Sequence, residues 1–342
     1  MGKLKVLFAR VCSGSFKRMF MYIDEIKKES GNSKLFTFAD MMWCIARYGI
    51  GYLEYRVFGF CYLRGSKIRK TYIKMADNLL MVKKLNNSEY THFLSDKLDF
   101  NNRFKKYLGR DFIDLHNATA DDLKSFLQDK SVIFCKAVSS FGGQGIEKVN
   151  VSDIGDVTQF YNECVRKGQY NIEEAVIQHS ELSRLNPSSI NTLRIVTICK
   201  DGCVHHMYTL IRIGKGNSCV DNISSGGMYA PVDENGVITK PAFCDKTGKL
   251  YDIHPDTKTS IVGFRVPMFD KAVQICKEAA LSIPEMGYVG WDVAMTENGP
   301  VFIEGNEMPG YDMCQNYYHI GDNKSGLKPK FEEILGKDFF KR

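Results

Sequence analysis

With 342 residues, 44% of them hydrophobic and 25% charged, the chain has the balance of a folded globular protein and not of a disordered one. Forty-six Lys and Arg against 40 Asp and Glu leave a net charge of +6, which suits acidic ligands or an anionic surface without identifying either. Eleven scattered cysteines with no CxxC pair argue against a disulfide framework or a zinc module, and point to reduced thiols in the cytoplasm.

In chain order, the first stretch, up to about Asn87, reads as a helical, aromatic lobe. Arg10, Lys17 and Arg18 interrupt any signal-like core, and no apolar run reaches the roughly 18 residues that a membrane-crossing helix needs. Phe16, Phe20, Ile23 and Ile26 recur at helical spacing before Gly31, and Phe36 to Tyr48 forms a second helix stopped by Gly49. An aromatic segment, Tyr52 to Phe60, and a basic one, Arg64 to Lys74, complete the lobe. Next come a helix over Asn101 to Leu108, a capped helix from Thr119 with Asp122 three residues on, and a short apolar strand, Ser131 to Ala137. A strand from Ile146 to Val151 and a helix from Asp156 to Arg166 follow. The remainder is mostly strand: Ile190 to Cys199, Val204 to Ile213 and Met228 to Val232, separated by glycine turns. A helix over Met268 to Ile283 precedes two strands, Tyr288 to Met295 and Pro300 to Ile303, joined by Glu297-Asn298-Gly299.

Three constellations carry chemistry. The first is a buried strand that delivers Lys136 to a loop, Ser139-Ser140-Phe141-Gly142-Gly143-Gln144-Gly145. Glycines let backbone N–H groups converge on phosphate oxygens, although a tight hairpin would use the same residues. No Gly-Lys-Ser/Thr ends the loop, so it is not a Walker A motif. The second is Asp292 on one strand with Glu304 and Asn306 on the next. Residues two apart share a face, so pairing of these strands brings three hard oxygen ligands together, a set that suits Mg2+. The third is Arg194 within a β-branched strand, where a guanidinium either pairs with a carboxylate or steadies a transferring phosphoryl group.

Taken together and in this order, these residues resemble the ATP-grasp superfamily. The lysine strand is at Lys136, the glycine loop at Gly142 to Gly145, the hinge at Ala175-Val176-Ile177-Gln178-His179, the arginine strand at Arg194, and the closing set is Asp292 with Glu304-Gly305-Asn306. The branch resembled is the sugar-transfer-associated ATP-grasp proteins, through the run Asn186-Pro187-Ser188-Ser189-Ile190-Asn191-Thr192-Leu193-Arg194, the run Asp221-Asn222-Ile223-Ser224-Ser225-Gly226-Gly227, and the aromatic N-terminal lobe. The resemblance covers residues 90–320 well and the first 85 loosely.

It implies an α+β fold in which two subdomains grip ATP between antiparallel sheets, beside an N-terminal helical lobe. The lobe is expected over 1–87, the subdomain with the glycine loop over 88–175, and the subdomain with hinge, arginine strand and metal ligands over 176–342. ATP and two Mg2+ ions are the implied cofactors. Lys136, Ser139, Ser140, Gly142, Gly143, Gln144 and Gly145 would hold phosphates, helped by an upstream lysine, Lys97, with Lys105 as its rival. Adenine would lie near Gln178, His179 and Glu181, with Glu181 at the ribose, and Asp292, Glu304 and Asn306 would hold the metal. Lys136 and Arg194 would offset charge during transfer. The implied reaction is carboxylate–amine ligation through an acyl phosphate, acting on an amino acid or amine and a uronic acid for cell-surface polysaccharide. A phosphotransferase or a non-catalytic ATP-binding regulator on the same fold are the alternatives. Small-molecule substrates, and a peripheral association with a membrane or a glycosyltransferase, are the expected partners, and nucleic acid is not.

Overall fold

The computed structural model describes residues 16–137, 145–216, 223 and 226–341, grouped in two compact units. One unit joins the chain up to Lys84 with the stretch from Gly310 onward; the other is Leu85–Pro309.

The first unit is helical: α1 Phe16–Ser30, α2 Lys34–Tyr48, α3 Tyr52–Val57, α4 Ser66–Arg69 and α5 Met75–Leu85. Ser33 caps α2 by accepting from the Phe36 N–H, and Gly49, at φ +67°, ends it by donating to the Ile45 carbonyl. Its core stacks Met19, Ile23 and Ile26 of α1 and Met41 and Ile45 of α2 with the rings of Tyr55, Phe58, Phe60 and Tyr72. Arg69 is buried there and forms a fork on both Asp40 oxygens at 2.8 and 2.6 Å. The sequence reading assigned the last residues to the region 176–342, whereas those from Gly310 on group with the N-terminal helices. The cause is non-local. The buried Gln315 amide donates to the Ile73 and Tyr311 carbonyls and accepts from the Ile73 and Leu327 N–H groups.

The second unit opens with two short helices, α6 His92–Ser95 and α7 Lys97–Arg103. The expected helix over Asn101 to Leu108 lies earlier in the chain, because Asp96 caps α7 by accepting from the Leu98 and Asp99 N–H groups. A 3-10 turn, Lys105–Tyr107, follows it. A four-stranded antiparallel sheet of order β1-β4-β2-β3 is built from β1 Phe112–Asp114, β2 Val132–Lys136, β3 Ile146–Asn150 and β4 Asn171–Glu174. Helices α8 Ala120–Leu127, capped as expected by Thr119 and Asp122, and α9 Val157–Arg166 cover it through Leu123, Leu127 and Cys164. A short helix, α10 Ser180–Ser183, follows β4.

A seven-stranded antiparallel sheet comes next, of order β11-β10-β5-β6-β7-β8-β9. Its strands are β5 Leu193–Lys200, β6 Cys203–Ile213, β7 Met228–Val232, β8 Ala242–Cys244, β9 Lys249–Tyr251, β10 Tyr288–Thr296 and β11 Gly299–Asn306. Helix α11 Phe269–Ser282 buries Ala272, Cys276, Ala279 and Ala280 in the core that holds Trp291, Val293, Met295 and Phe302. Small residues on that helix let its backbone approach the sheet.

Strands β10 and β11 pair through the expected Asn298-Gly299 turn, and a bulge interrupts their register. Asp292 faces Glu304, yet Val293 faces Phe302, so Ile303 is the extra residue. Phe302 therefore stacks on Trp291 in the core while Ile303 and Glu304, consecutive in sequence, both reach the opposite face. Gly305 permits this close packing. A Cβ there would lie 2.6 Å from Leu94 Cδ2 and 2.9 Å from Phe100 Cε2. Gly305→Ala is expected to cost about 1–3 kcal/mol by overpacking, read as a lower denaturant midpoint at unchanged slope.

Candidate functional site

Within the second unit, a cleft of about 380 Å3 is lined by Phe134 and Lys136 of the small sheet, the segment Glu174 to Gln178, the loop Pro187 to Ile190, and Ile303 of the large sheet. It continues into a recess of about 120 Å3 lined by Lys97, Asn101, Glu304, Asn306 and Glu307. Lys136, Ile146, Glu173 and Ile303 border both spaces.

The sheet register sets the recess chemistry. Arg194 on β5, Asp292 on β10 and Glu304 on β11 lie opposite one another across three adjacent strands. Asp292 is fully buried and accepts from Arg194 Nε and Nη2, and from Arg212 Nη2 at 2.5 Å. Burial alone would raise its carboxyl, but the two guanidiniums overcome that and hold it far below the usual carboxylate range. Glu304 has the opposite fate. Burial first, then the charge and hydrogen bond of Asp292, push it up to about 7. Asn306 donates from its amide nitrogen to the Gly290 carbonyl at 3.4 Å.

A second charged cluster faces the first. Glu173 of β4 is buried and accepts from Lys136 Nζ at 2.6 Å, Arg110 Nε at 2.7 Å, Asn101 Nδ2 at 2.9 Å and Asn171 Nδ2 at 2.8 Å. Arg110 also donates to the Phe302 carbonyl at 2.5 Å and so ties the small sheet to β11. Its Nη2 is a buried donor with no partner among the described residues. Burial lowers the Lys136 ammonium, and Glu173 works against that shift. Lys97, at the first position of α7, is likewise lowered by burial, with Glu304 opposing the shift without cancelling it.

The residues singled out from sequence separate into three groups. Lys97, Lys136, Arg194, Asp292, Glu304 and Asn306 come together around the recess. Gln178 borders the cleft, but its amide is spent on structure: it donates to the Asn186 and Ser189 carbonyls and accepts from Asn191. That pins the Asn186-to-Asn191 loop. His179 caps α10, accepting from the Glu181 N–H, and Glu181 is exposed and paired with Arg184 at 2.7 Å. Lys105 is exposed on its turn and lines neither space. Gly145, at φ +70°, accepts from the Ala137 N–H. Ser139, Ser140, Gly142, Gly143 and Gln144 lie outside the described residues, as do Asp221, Asn222, Ser224 and Ser225.

Arg110, Glu173 and Arg212 were not found from sequence. Arg212 carried a signal, a lone charge between Ile211 and Ile213 just ahead of a glycine turn. Glu173 and Arg110 carried none, because their meaning lies in each other. Two carboxylates and an amide side chain are donors of the kind a hard divalent cation takes: Glu304, raised by burial first and Asp292 second, lines the recess with Asn306, while both Asp292 oxygens accept from Arg194 and Arg212.

No curated protein matches the chain. Solved structures similar to it include D-cycloserine synthetase DcsG, at 10% identity and TM-score 0.44, covering 76% of this chain and 79% of that one. D-alanyl-alanine synthetase A from Vibrio cholerae follows at 12% identity and TM-score 0.42, covering 73% and 62%. A carboxyaminoimidazole ribonucleotide synthase from Aspergillus clavatus, complexed with ATP, gives 11% identity and TM-score 0.40, covering 66% and 47%. The chain thus spans less than two thirds of the length of the last two. The family model described as sugar-transfer associated ATP-grasp matches residues 81–334, which takes in every strand and helix around the cleft. The chain belongs to that family and has the α+β ATP-grasp fold.

Proposed function

We propose that this protein is an ATP-dependent ligase that joins a carboxylate to an amine through an acyl phosphate. The observation that carries the reading is the transverse row Arg194, Asp292, Glu304, whose last member lines a recess that Lys97 and Lys136 also border. Such a concentration of cations beside acidic oxygen donors suits a polyphosphate with its metal. The apolar part of the cleft, between Phe134 and Ile303, suits the base, beside a hinge whose Val176 and Ile177 main-chain groups have no hydrogen-bond partner among the described residues. Gln178 acts there by holding the Asn186-to-Asn191 loop, with His179 and Glu181 just beyond. Ser139, Ser140, Gly142, Gly143, Gln144 and Gly145 are the residues proposed to bind the phosphates.

Mg2+, held as two ions by Asp292, Glu304 and Asn306, would supply positive charge at the β- and γ-phosphates when bound. Lys136, Lys97 and Arg194 offset the charge that remains. A substrate carboxylate oxygen attacks the γ-phosphorus and ADP leaves. An amine nitrogen then attacks the acyl carbon, and phosphate departs as the amine gives up a proton. The chain needs no nucleophile of its own. On the same reading the carboxylate belongs to a uronic acid, the amine to an amino acid, and the product to cell-surface polysaccharide made in the cytoplasm close to a glycosyltransferase or membrane.

The test is ADP release with Mg·ATP against uronic acids and amino acids, singly and in pairs. Release that requires both a carboxylate and an amine is the expected result. Release with a hydroxyl compound alone would replace the ligase by a phosphotransferase.

A further inference from the structure

Helix α2 is apolar on both sides. Thr37, Met41, Cys44 and Ile45 fill the lobe's core, so the opposite face should be polar. Instead it presents Leu35 at 79% exposure, Phe36 at 42% and Trp43 at 47%, with Ala39 and Ala46 between them and Arg47 at the border. Helix α1 adds Phe16 and Phe20, each more than half exposed, among the exposed Lys17, Arg18, Lys27 and Lys28. Phe20 lies parallel to Phe38 of α2 at 6.4 Å, which makes the two apolar faces adjoin, and the Arg64 guanidinium covers the Phe36 ring at 4.7 Å.

Charge on this part of the chain is one-sided. Residues 16–75 contain twelve Lys and Arg against five Asp and Glu, whereas the whole chain holds 46 against 40, so this stretch carries the entire positive excess. Its five carboxylates are occupied: Asp24 by Lys34, Glu25 and Glu29 by Arg56, Asp40 by Arg69, and Glu54 by the Gly51 N–H and the Tyr311 hydroxyl. The exposed charge that remains on α1, Lys17, Arg18, Lys27 and Lys28, is cationic.

We infer that this face of α1 and α2 docks on the surface of an anionic phospholipid bilayer. Exposed Trp, Phe and Leu side chains enter the boundary between headgroups and acyl chains, and surrounding Lys and Arg meet the lipid phosphates. A second copy of the same face would bring like charges together, which disfavours a symmetric dimer through it. Lipid supplies both complements at once, an apolar layer bordered by negative charge.

The chain reports on its own docking. It has two tryptophans, and Trp291 is fully buried, so a spectral change on binding belongs to Trp43. The experiment adds the full chain to vesicles of phosphatidylcholine alone and of phosphatidylcholine mixed with phosphatidylglycerol, following tryptophan emission and co-sedimentation. A blue shift and sedimentation with the anionic vesicles, weakened by salt, are expected. Leu35→Glu and Phe20→Glu, both at exposed positions that leave the thermal melt unchanged, should each weaken binding by about tenfold or more. No binding to either vesicle, equal binding to both, or binding untouched by these substitutions would overturn the inference. So would a protein partner whose binding Leu35→Glu abolishes while vesicle binding stays at the wild-type level.

Discussion

Replacing Glu304 with alanine is expected to lower Mg·ATP-dependent ADP release by on the order of 10²- to 10³-fold while the folded state survives. The loss follows from the proposed role of the carboxylate beside Asp292 and Asn306. The survival follows from its energetics. Burial and Asp292 raise the Glu304 carboxyl to about 7, against an ordinary value of 4.5. A raised carboxyl stabilises the fold fully below its unfolded value and loses that contribution as pH rises through the folded one. At pH 8 the ionised group is therefore a burden to the wild type, by on the order of 2–3 kcal/mol relative to pH 4. The alanine variant should melt at or above the wild-type temperature at pH 8 without metal, and lose that advantage near pH 4. An inactive variant that is also much less stable at pH 8 would place Glu304 among structural residues instead.

Glu173→Gln should do the reverse. Removing the charge leaves Arg110 and Lys136 buried side by side without a counter-ion, and breaking a buried pair in this way costs about 3–5 kcal/mol. That is a large share of the roughly 5–15 kcal/mol that keeps a domain folded. Burial alone would raise the Glu173 carboxyl, but Arg110 and Lys136 hold it well below the usual range, so its contribution is present above about pH 4.5 and fades as pH falls below that. The gap between wild type and Glu173→Gln should accordingly narrow in acid, as measured by urea unfolding across pH. Mg·ATP should restore more stability to the variant than to the wild type, because phosphates can serve the two orphaned cations. Equal unfolding midpoints at pH 7 would show that Lys136 does not depend on Glu173.

What the sequence made legible was local. The Thr119–Asp122 cap and the Asn298-Gly299 hairpin are each encoded within a few residues, and both stand where the pattern put them. The hairpin brings β10 and β11 together as the pattern predicts, but alternation alone would set Ile303 opposite Asp292; the bulge, which the sequence does not announce, is what puts Glu304 there. Strand β4 could not. Asn171-Ile172-Glu173-Glu174 has one apolar residue in four, and only its neighbours β1 and β2 make a strand of it. Likewise a buried glutamate looks improbable until Asn101, Arg110 and Lys136 arrive from elsewhere in the chain to join Asn171 of its own strand. Gln178 shows the converse. A polar residue in a hinge suggests side-chain contact with a ligand; the residue does border the cleft, but its amide is engaged by Asn186, Ser189 and Asn191.

The extra residue in β11 gives that strand two reading frames. From Gly299 to Phe302 the alternation is set by what the core will accept, and from Glu304 onward by what the recess requires; Ile303 is the comma between them. A deletion at 303 would leave Phe302 opposite Val293 and Glu304 opposite Asp292, and would remove only an apolar wall of the cleft. A deletion between Pro300 and Phe302 would shift the core frame, and one at Gly305 would shift the frame of Asn306. The hairpin can therefore lose length at one position without garbling either message.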